Sequence, residues 1–413
     1  MSDRRVVITG IGVVSPIGIG KEAFWSSLVS GKTGISMIES FDTSRIPVKI
    51  GGEIKAFDTS PWIDDKKVRR IDRTAFFSII ASKQALKDSG LEYQKEEIAE
   101  KLGIIIGTAV GGHKYLLEQD EIVHKKGPMK INMLSALNAF PDACAGQTAI
   151  ELSLHGPSFA VATACSSGLD AIGIGYAKIQ SGEMDYVIAG GSDAPICEAI
   201  MAAFCLIKAL STYNESPQTA CRPFDATRNG FVMGEGAGLL VLEEYEYAKK
   251  RGAHIYAEIV GHAMTCDGFH MTAPPPDGRY AVKAVENALK KAKVTLEEID
   301  SINAHGTSTP LNDKTETLVI KTVFNNQAKK IPVSGIKSMI GHLIGAAGSV
   351  ELIGSLLGME KGIVLPTINY RTPDPECDLD YVPNEAREHN VRVVMKNSFG
   401  FGGKNSVLVV KKV

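Results

Sequence analysis

Three residues far apart in the chain, Cys165, His305 and His342, have the types and settings of reactive groups. Cys165 lies in Pro157-Ser158-Phe159-Ala160-Val161-Ala162-Thr163-Ala164-Cys165-Ser166-Ser167-Gly168, where a run that reads as a buried strand gives way to a helical pattern. A thiol at a helix N-terminus faces unpaired backbone N–H groups and the positive end of the helix dipole, and both favour the nucleophilic thiolate. Most cysteines are buried and inert, but no other cysteine in the chain has this setting. The histidines sit in Ser301-Ile302-Asn303-Ala304-His305-Gly306-Thr307-Ser308-Thr309-Pro310 and Lys337-Ser338-Met339-Ile340-Gly341-His342-Leu343-Ile344-Gly345-Ala346-Ala347-Gly348. Each follows an apolar run of strand character, 299–304 and 331–336, and each is flanked by residues that let a ligand approach the backbone. A lone histidine is usually a satisfied core residue. Two in matched turns, with a cysteine in a third, fit a nucleophile and its imidazole partners better than core packing. No Cys-x-x-Cys or His-x-x-x-His pair accompanies them, so they do not read as a metal centre.

Positioning such residues calls for rigid layers. Short Val/Ile-rich runs such as 102–106, 186–189 and 238–242 alternate with amphipathic stretches such as 73–89 and 280–291, the pattern of α/β layering around buried sheets. The halves echo each other: 102–108 corresponds to 299–305, the Cys165 turn to 337–342, and 234–242 to 401–409. The expected division is 1–253, carrying the cysteine, and 254–413, carrying both histidines. With 413 residues, 44% hydrophobic and 22% charged, the chain has ample core, and a net charge of −2 argues against a nucleic-acid surface. Seven scattered cysteines form no disulfide framework and suggest a reducing compartment. The opening Met1-Ser2-Asp3-Arg4-Arg5 runs straight into strand-like Val6-Val7-Ile8, leaving no room for a signal peptide, and no apolar run reaches the ~18 residues of a membrane span. The cytoplasm is the expected location.

Four segments carry a family resemblance: Thr163-Ala164-Cys165-Ser166-Ser167-Gly168, Asn303-Ala304-His305-Gly306-Thr307-Ser308-Thr309, Lys337-Ser338-Met339-Ile340-Gly341-His342 and Asn397-Ser398-Phe399-Gly400-Phe401-Gly402-Gly403. They resemble the active-site motifs of the β-ketoacyl-[acyl-carrier-protein] synthases. The order Cys, His, His is similar to the elongating branch, its type II form most closely, and the similarity runs from Arg5 to Val410. The resemblance implies a thiolase-type duplicated fold, layered αβαβα with two mixed sheets, in a homodimer. It implies the decarboxylative Claisen condensation of an acyl-enzyme thioester with malonyl-[acyl-carrier-protein], extending a fatty acid by two carbons. Its partner is then acyl carrier protein, with no cofactor beyond the carrier's phosphopantetheine, no membrane and no nucleic acid.

This reaction needs an acyl-holding nucleophile, donors for the enolate left by decarboxylation, an oxyanion hole, and exclusion of water. Matched to the family, Cys165 is the nucleophile, and His305 and His342 donate to the malonyl thioester oxygen without a metal. The N–H groups of Cys165 and Phe401 form the oxyanion hole, Phe401 also resembles the family's gate, and Lys337 supports the histidines with Glu351. A carboxylate on the apolar face around Glu351 demands a partner. Asp313 is a second support. The resemblance implies that Thr307 and Thr309 bind the phosphopantetheine arm, that Val110, Phe204 and Phe399 line the acyl site, and that a structural monovalent cation lies near Asn303, Glu351 and Asn397. An acidic carrier calls for a basic patch, and Lys66, Arg69 and Arg70 lie in the densest positive run, joined in the family pattern by Lys130 and Lys208. Two positions depart from many relatives: Ile340 and Lys404 stand where threonine is common. A degradative thiolase would carry a second cysteine in its C-terminal glycine loop, whereas the last one here is Cys377. A non-catalytic chain-length partner would lack the nucleophile. A polyketide-type ketosynthase is the alternative pathway for the same chemistry.

Overall fold

The computed structural model describes residues 4–68 and 70–413, without the side chains of Asp65 and Lys66. Five strands of the first half are β1 (Val6–Ser15), β2 (Leu102–Gly107), β3 (Ser158–Val161), β4 (Tyr186–Asp193) and β5 (Gly236–Glu244). Those of the second are β6 (Ala257–Cys266), β7 (Ser301–Asn303), β8 (Val333–Ser334), β9 (Val393–Gly400) and β10 (Lys404–Lys411). The first set lies in the order β3-β2-β4-β5-β1 and the second in the order β8-β7-β9-β10-β6, the same sequence of positions. Strand senses repeat as well. β2 is parallel to β3 and β4 while β5 runs antiparallel to β4 and β1, and β7 is parallel to β8 and β9 while β10 runs antiparallel to β9 and β6. The two mixed sheets meet where Val6–Ile8 of β1 pairs with Ala257–Ile259 of β6. The chain is therefore a duplicated thiolase-type α/β fold.

The layers follow from what covers each sheet face. β1, β2 and β5 are buried at every residue, which is why they read as unbroken Val/Ile/Leu runs. Helix α1 (Arg73–Ser89), capped by Asp72 accepting from the Thr74 N–H and ended by left-handed Gly90, packs on β1 and β5. Its backbone comes so close that a Cβ on Gly12 would lie 1.8 Å from the Ala81 carbonyl oxygen. Between the sheets run α2 (Ser167–Gln180) and, from the second half, the final helix of the duplicated unit (Ala347–Lys361). α3 (Arg279–Ala292) covers the far face of the second sheet with Ala281, Ala284, Val285, Ala288 and Leu289, a helical stripe. Numbering on, α4 is Pro310–Phe324 and α5 is Ala347–Lys361. The expected burial of β3 changes: it is not buried but half-exposed, because it forms the outer edge of its sheet.

At the end of β2 a Cβ on Gly107 would lie 2.1 Å from the Ser167 carbonyl carbon, beside the Cys165 turn. Gly107→Ala is expected to cost about 1–3 kcal/mol through overpacking. Gly146, within the helix Ala143–Leu152, has no atom within 4 Å of an added Cβ, so Gly146→Ala is expected to gain about 0.5–1 kcal/mol. Urea denaturation of both variants checks the pair, and equal effects would contradict the packing assigned to β2.

Candidate active site

The two central helices begin in the same way. A turn at Ala164–Ser166 leads into α2 and one at Ile344–Ala346 leads into α5, and each opens on a non-glycine residue of left-handed backbone, Ala164 at φ 54° and Ile344 at φ 49°. Such conformations persist only where the surroundings enforce them. Here the turns are in backbone contact: a Cβ on Gly168 would sit 2.7 Å from the Gly345 carbonyl oxygen, and one on Gly191 2.5 Å from the same atom. Asp193 ties the second of these turns to the segment after β2, accepting from Thr108 Oγ1 at 2.7 Å and from the N–H groups of Ala109 (2.9 Å), Val110 (3.0 Å) and Gly345 (2.7 Å). Neither Asp193 nor this contact is signalled by a motif. The outcome is that ligating atoms of Cys165, His305 and His342 all lie within 4.8 Å of one another.

These three residues line a cleft of about 330 Å³ together with Phe399, Phe401, Phe204, Thr307 and Thr309. Phe401 stacks on Phe204 at 6.2 Å, Phe204 meets Phe231 edge-on at 5.6 Å, and Phe231 meets His342 edge-on at 5.2 Å. Gly402 and Gly403 adopt φ 75° and 72°, which glycine alone takes without strain, so the Phe401 loop turns sharply at the cleft. Val110 packs in the same apolar cluster as Phe204 and Phe401 but does not line the cleft. Thr307 and Thr309 share a 2.8 Å hydroxyl contact, and Asp313 holds their turn by accepting from the N–H groups of Ser308 and Phe224.

The thiol departs from the sequence expectation. Burial pushes Cys165 up to about 11, outweighing the N–H groups of Phe401 and Cys165 itself, which pull it down, as does the charge on Lys337. Loss of water around the thiolate outweighs the helix N-terminus here, since Cys165 is 6% exposed. The same N–H groups nonetheless converge at the sulfur from two different chain segments.

Both histidines are neutral donors. His342 Nδ1 accepts from the Ile344 N–H at 3.2 Å, and His305 Nδ1 faces Lys337 Nζ at 3.4 Å, which can only donate. Each neutral ring must then carry its proton on Nε2. His342 Nε2 is buried and has no hydrogen-bond partner among the described residues. Burial, then Lys337, holds both well below the usual histidine range. A metal-ligating histidine does the opposite, donating its second ring N–H to a carboxylate or carbonyl. This pair therefore suits an oxygen that needs hydrogen bonds better than it suits a metal.

Behind them lies a buried charge cluster. Lys337 Nζ donates to the His305 carbonyl at 2.5 Å and lies 2.6 Å from Glu351 Oε1, close as an ion pair though poorly aligned as a hydrogen bond. Glu351 Oε2 accepts from Lys396 at 2.5 Å, and Lys396 also donates to the Ala304 carbonyl at 3.0 Å. Glu316 accepts from the N–H groups of His305 and Gly306, both at 2.8 Å, and from Asn397 Nδ2 at 3.1 Å. Asn303 Nδ2 donates to the Glu351 carbonyl and to Ser355 Oγ. Burial lowers Lys396 to about 8 and raises Glu316. Sequence reasoning placed Lys337 and Glu351 here but missed Lys396 and Glu316. A lysine in the run Val393-Val394-Met395-Lys396 was the available signal. Ile340 is wholly buried in the main core.

Of the basic residues, Lys208 is exposed at the cleft, while Arg70 and Lys130 are exposed elsewhere. Arg69 and the side chain of Lys66 lie outside the described residues. Lys67 pairs with Glu151 at 2.7 Å.

Comparison with known proteins gives one direction. The chain matches the model of the β-ketoacyl synthase N-terminal domain over residues 3–248 and that of the C-terminal domain over 256–371. It is 45% identical over 412 residues to a 3-oxoacyl-[acyl-carrier-protein] synthase 2 of Synechocystis, covering 100% of this chain and 99% of the relative. It is 45% identical over 414 residues to a 3-oxoacyl-[acyl-carrier-protein] synthase 2 of Staphylococcus aureus, covering 99% of each. A solved type II PKS acyl-carrier protein in complex with its ketosynthase, bound to the hexaketide, matches at 36% identity with a TM-score of 0.92 over all of both chains.

Neutral burial of the histidines carries a pH signature. Unfolding exposes imidazoles that bind protons near 6.5, which the folded state does not. Their stabilising contribution is fully present above about pH 6.5 and is lost as pH falls toward their depressed folded values. The urea midpoint is therefore expected to fall between pH 7 and 5, and less steeply in His342→Gln. Parallel profiles for the two proteins would show that His342 is not buried neutral.

Proposed function

Because the chain belongs to the β-ketoacyl synthase family, we propose that it catalyses the condensation performed by 3-oxoacyl-[acyl-carrier-protein] synthase II, elongating a carrier-bound acyl chain by two carbons. The observation that carries the reading is the buried, unpartnered Nε2–H of His342 beside His305 and the Cys165 thiol. Cys165 attacks the acyl thioester and its proton passes to the departing phosphopantetheine sulfur. The N–H groups of Cys165 and Phe401 hold the oxyanion. Malonyl thioester then loses CO₂, the electron pair of the broken bond becomes an enolate, and the Nε2–H groups of His305 and His342 bind its oxygen. The enolate carbon attacks the acyl carbonyl, the Cys165 sulfur leaves, and the β-keto product departs on the carrier. No cofactor takes part beyond phosphopantetheine.

The remaining assignments belong to the same proposal. Thr307 and Thr309 bind the phosphopantetheine arm at the cleft, Phe399 and Phe204 line the acyl path with Val110 behind them, and Phe401 gates it. Acyl carrier protein docks on the positive run at Lys66, Arg69 and Arg70, with Lys130 and Lys208. The two halves divide at 253/254. The half-exposed edge strand β3 and the exposed Met129, Met133, Leu137 and Phe140 support a homodimer, since unpaired edges and apolar clusters are usually covered. No helix among the described residues is long and apolar enough to cross a membrane, which supports a cytoplasmic enzyme. The hexaketide-bound relative favours a polyketide pathway as the second reading.

Cys165→Ala is expected to abolish condensation and covalent acyl retention, while Cys165→Gln keeps malonyl decarboxylation. His305→Ala or His342→Ala should cost about 10²–10³ in decarboxylation and less in acyl transfer. CO₂ release and acyl-enzyme mass follow the two half-reactions separately, and equal losses in both would make a histidine the base for the thiol instead.

Charge reversal at Arg70 and Lys208 is expected to raise KM for carrier-linked substrate while leaving acylation by acyl-pantetheine unchanged. The effect should shrink as salt rises, since exposed charges are screened beyond ~10 Å at 0.1 M. An unchanged KM would place the docking surface elsewhere.

A further inference from the structure

Of the residues expected to surround a structural monovalent cation, Asn303 and Asn397 each leave a buried Oδ1 without a hydrogen-bond partner among the described residues, and Glu351 Oε1 meets Lys337 Nζ only as an ion pair at 2.6 Å. Such oxygens would suit a cation, but a cation is already present. The Lys396 side chain, on β9 directly across from Asn303, is wholly buried, and its Nζ is held by the Glu351 carboxylate and the Ala304 carbonyl. The local charge is also closed. Lys396 and Lys337 face Glu351 and Glu316, and Glu316 accepts three hydrogen bonds while donating none, as a carboxylate does. A further cation would enter beside two ammonium groups with no free anion to offset the repulsion. The residues present therefore do not fit a separate metal ion.

We infer that Lys396 is a tethered cation: its ammonium supplies from within the chain the positive charge that the buried Glu351 carboxylate and Ala304 carbonyl bind, making the enzyme independent of a bound monovalent ion. Lys396 is a positioning residue. It grips the Ala304 carbonyl, one residue before His305, and the Glu351 carboxylate that neighbours Lys337. Through those two groups it sets the place of His305 without touching substrate. The inference rests on the condensing-enzyme reading only in the choice of activity assay.

The test uses the full chain, exchanged into tetramethylammonium, whose methyl groups shield its charge from oxygen ligands, with K⁺ or Na⁺ added at constant ionic strength. The wild-type thermal midpoint is expected to stay unmoved and its condensation rate to change by less than about twofold, because nothing binds the folded state selectively. Lys396→Ala is expected to lose about 10- to 100-fold in rate, the usual cost of removing a supporting group behind a site. K⁺ or ammonium should then restore both rate and midpoint saturably. Lys396→Met, which fills the space without charge, should show the loss and no rescue. A saturable rise of the wild-type midpoint with K⁺ or Na⁺ would overturn the inference, as would full activity of Lys396→Ala in tetramethylammonium. If Lys396→Ala fails to fold, the wild-type titration and Lys396→Met decide. The midpoint does not depend on catalysis, so an error in the assigned reaction would leave this result standing.

Discussion

The site depends on one steric constraint: the first turns of α2 and α5 touch backbone to backbone. Gly168, Gly191 and Gly345 permit it, since any Cβ on the first two would run into the Gly345 carbonyl. Helices normally stand 8–10 Å apart because side chains intervene. Here the absence of side chains lets two helix starts from opposite halves share one point, and each start carries a reactive residue on its lead-in segment. Both helices are covered by sheets on either side, so the contact has little freedom to relax. Catalysis that relies on fixed donors needs placement to a fraction of an ångström. A buried contact between duplicated elements provides it without any loop having to close.

Much of this architecture is legible in the sequence. The helical stripe at 73–89 coincides with α1, and the Val/Ile runs at 102–106 and 238–242 fall within β2 and β5, because strands covered on both faces must be apolar throughout. The echo between the halves was visible only as a similar order of motifs. The shared strand order turns it into a true repeat. The strands before the two histidines are shorter than the apolar runs that announce them, Ser301–Asn303 and Val333–Ser334. β3 misled for a different reason: an apolar edge strand and a buried one have the same composition.

Within the site, residue types that perform chemistry were legible and those that set its electrostatics were not. Cys165, His305 and His342 stand in glycine-rich turns that a pattern can register. Lys396 and Glu316 sit in ordinary strand and helix positions, and only the fold shows that they meet the histidine turn. The thiol shows the opposite failure. Its local setting favours ionisation, yet its pKa is governed by how many neighbours exclude water, which local sequence does not encode.

The charge cluster explains why two histidines can remain neutral at the centre of a polar reaction. A buried imidazole beside a carboxylate would gain a proton, whereas these rings sit beside a lysine that is itself paired with Glu351. Lys337 therefore acts on His305 twice. Its positive charge disfavours protonation, and its N–H occupies Nδ1, forcing the remaining proton onto Nε2 toward the cleft. A neutral donor binds a developing enolate oxygen without forming an ion pair so tight that the enolate loses its reactivity at carbon. The cost of burying four charged side chains is offset because each lysine meets both Glu351 and a backbone carbonyl, and Glu316 accepts three hydrogen bonds. Lys337 links the two roles: it shares Glu351 with Lys396 and also occupies His305 Nδ1, so the group that balances the buried charge is the one that fixes the His305 tautomer.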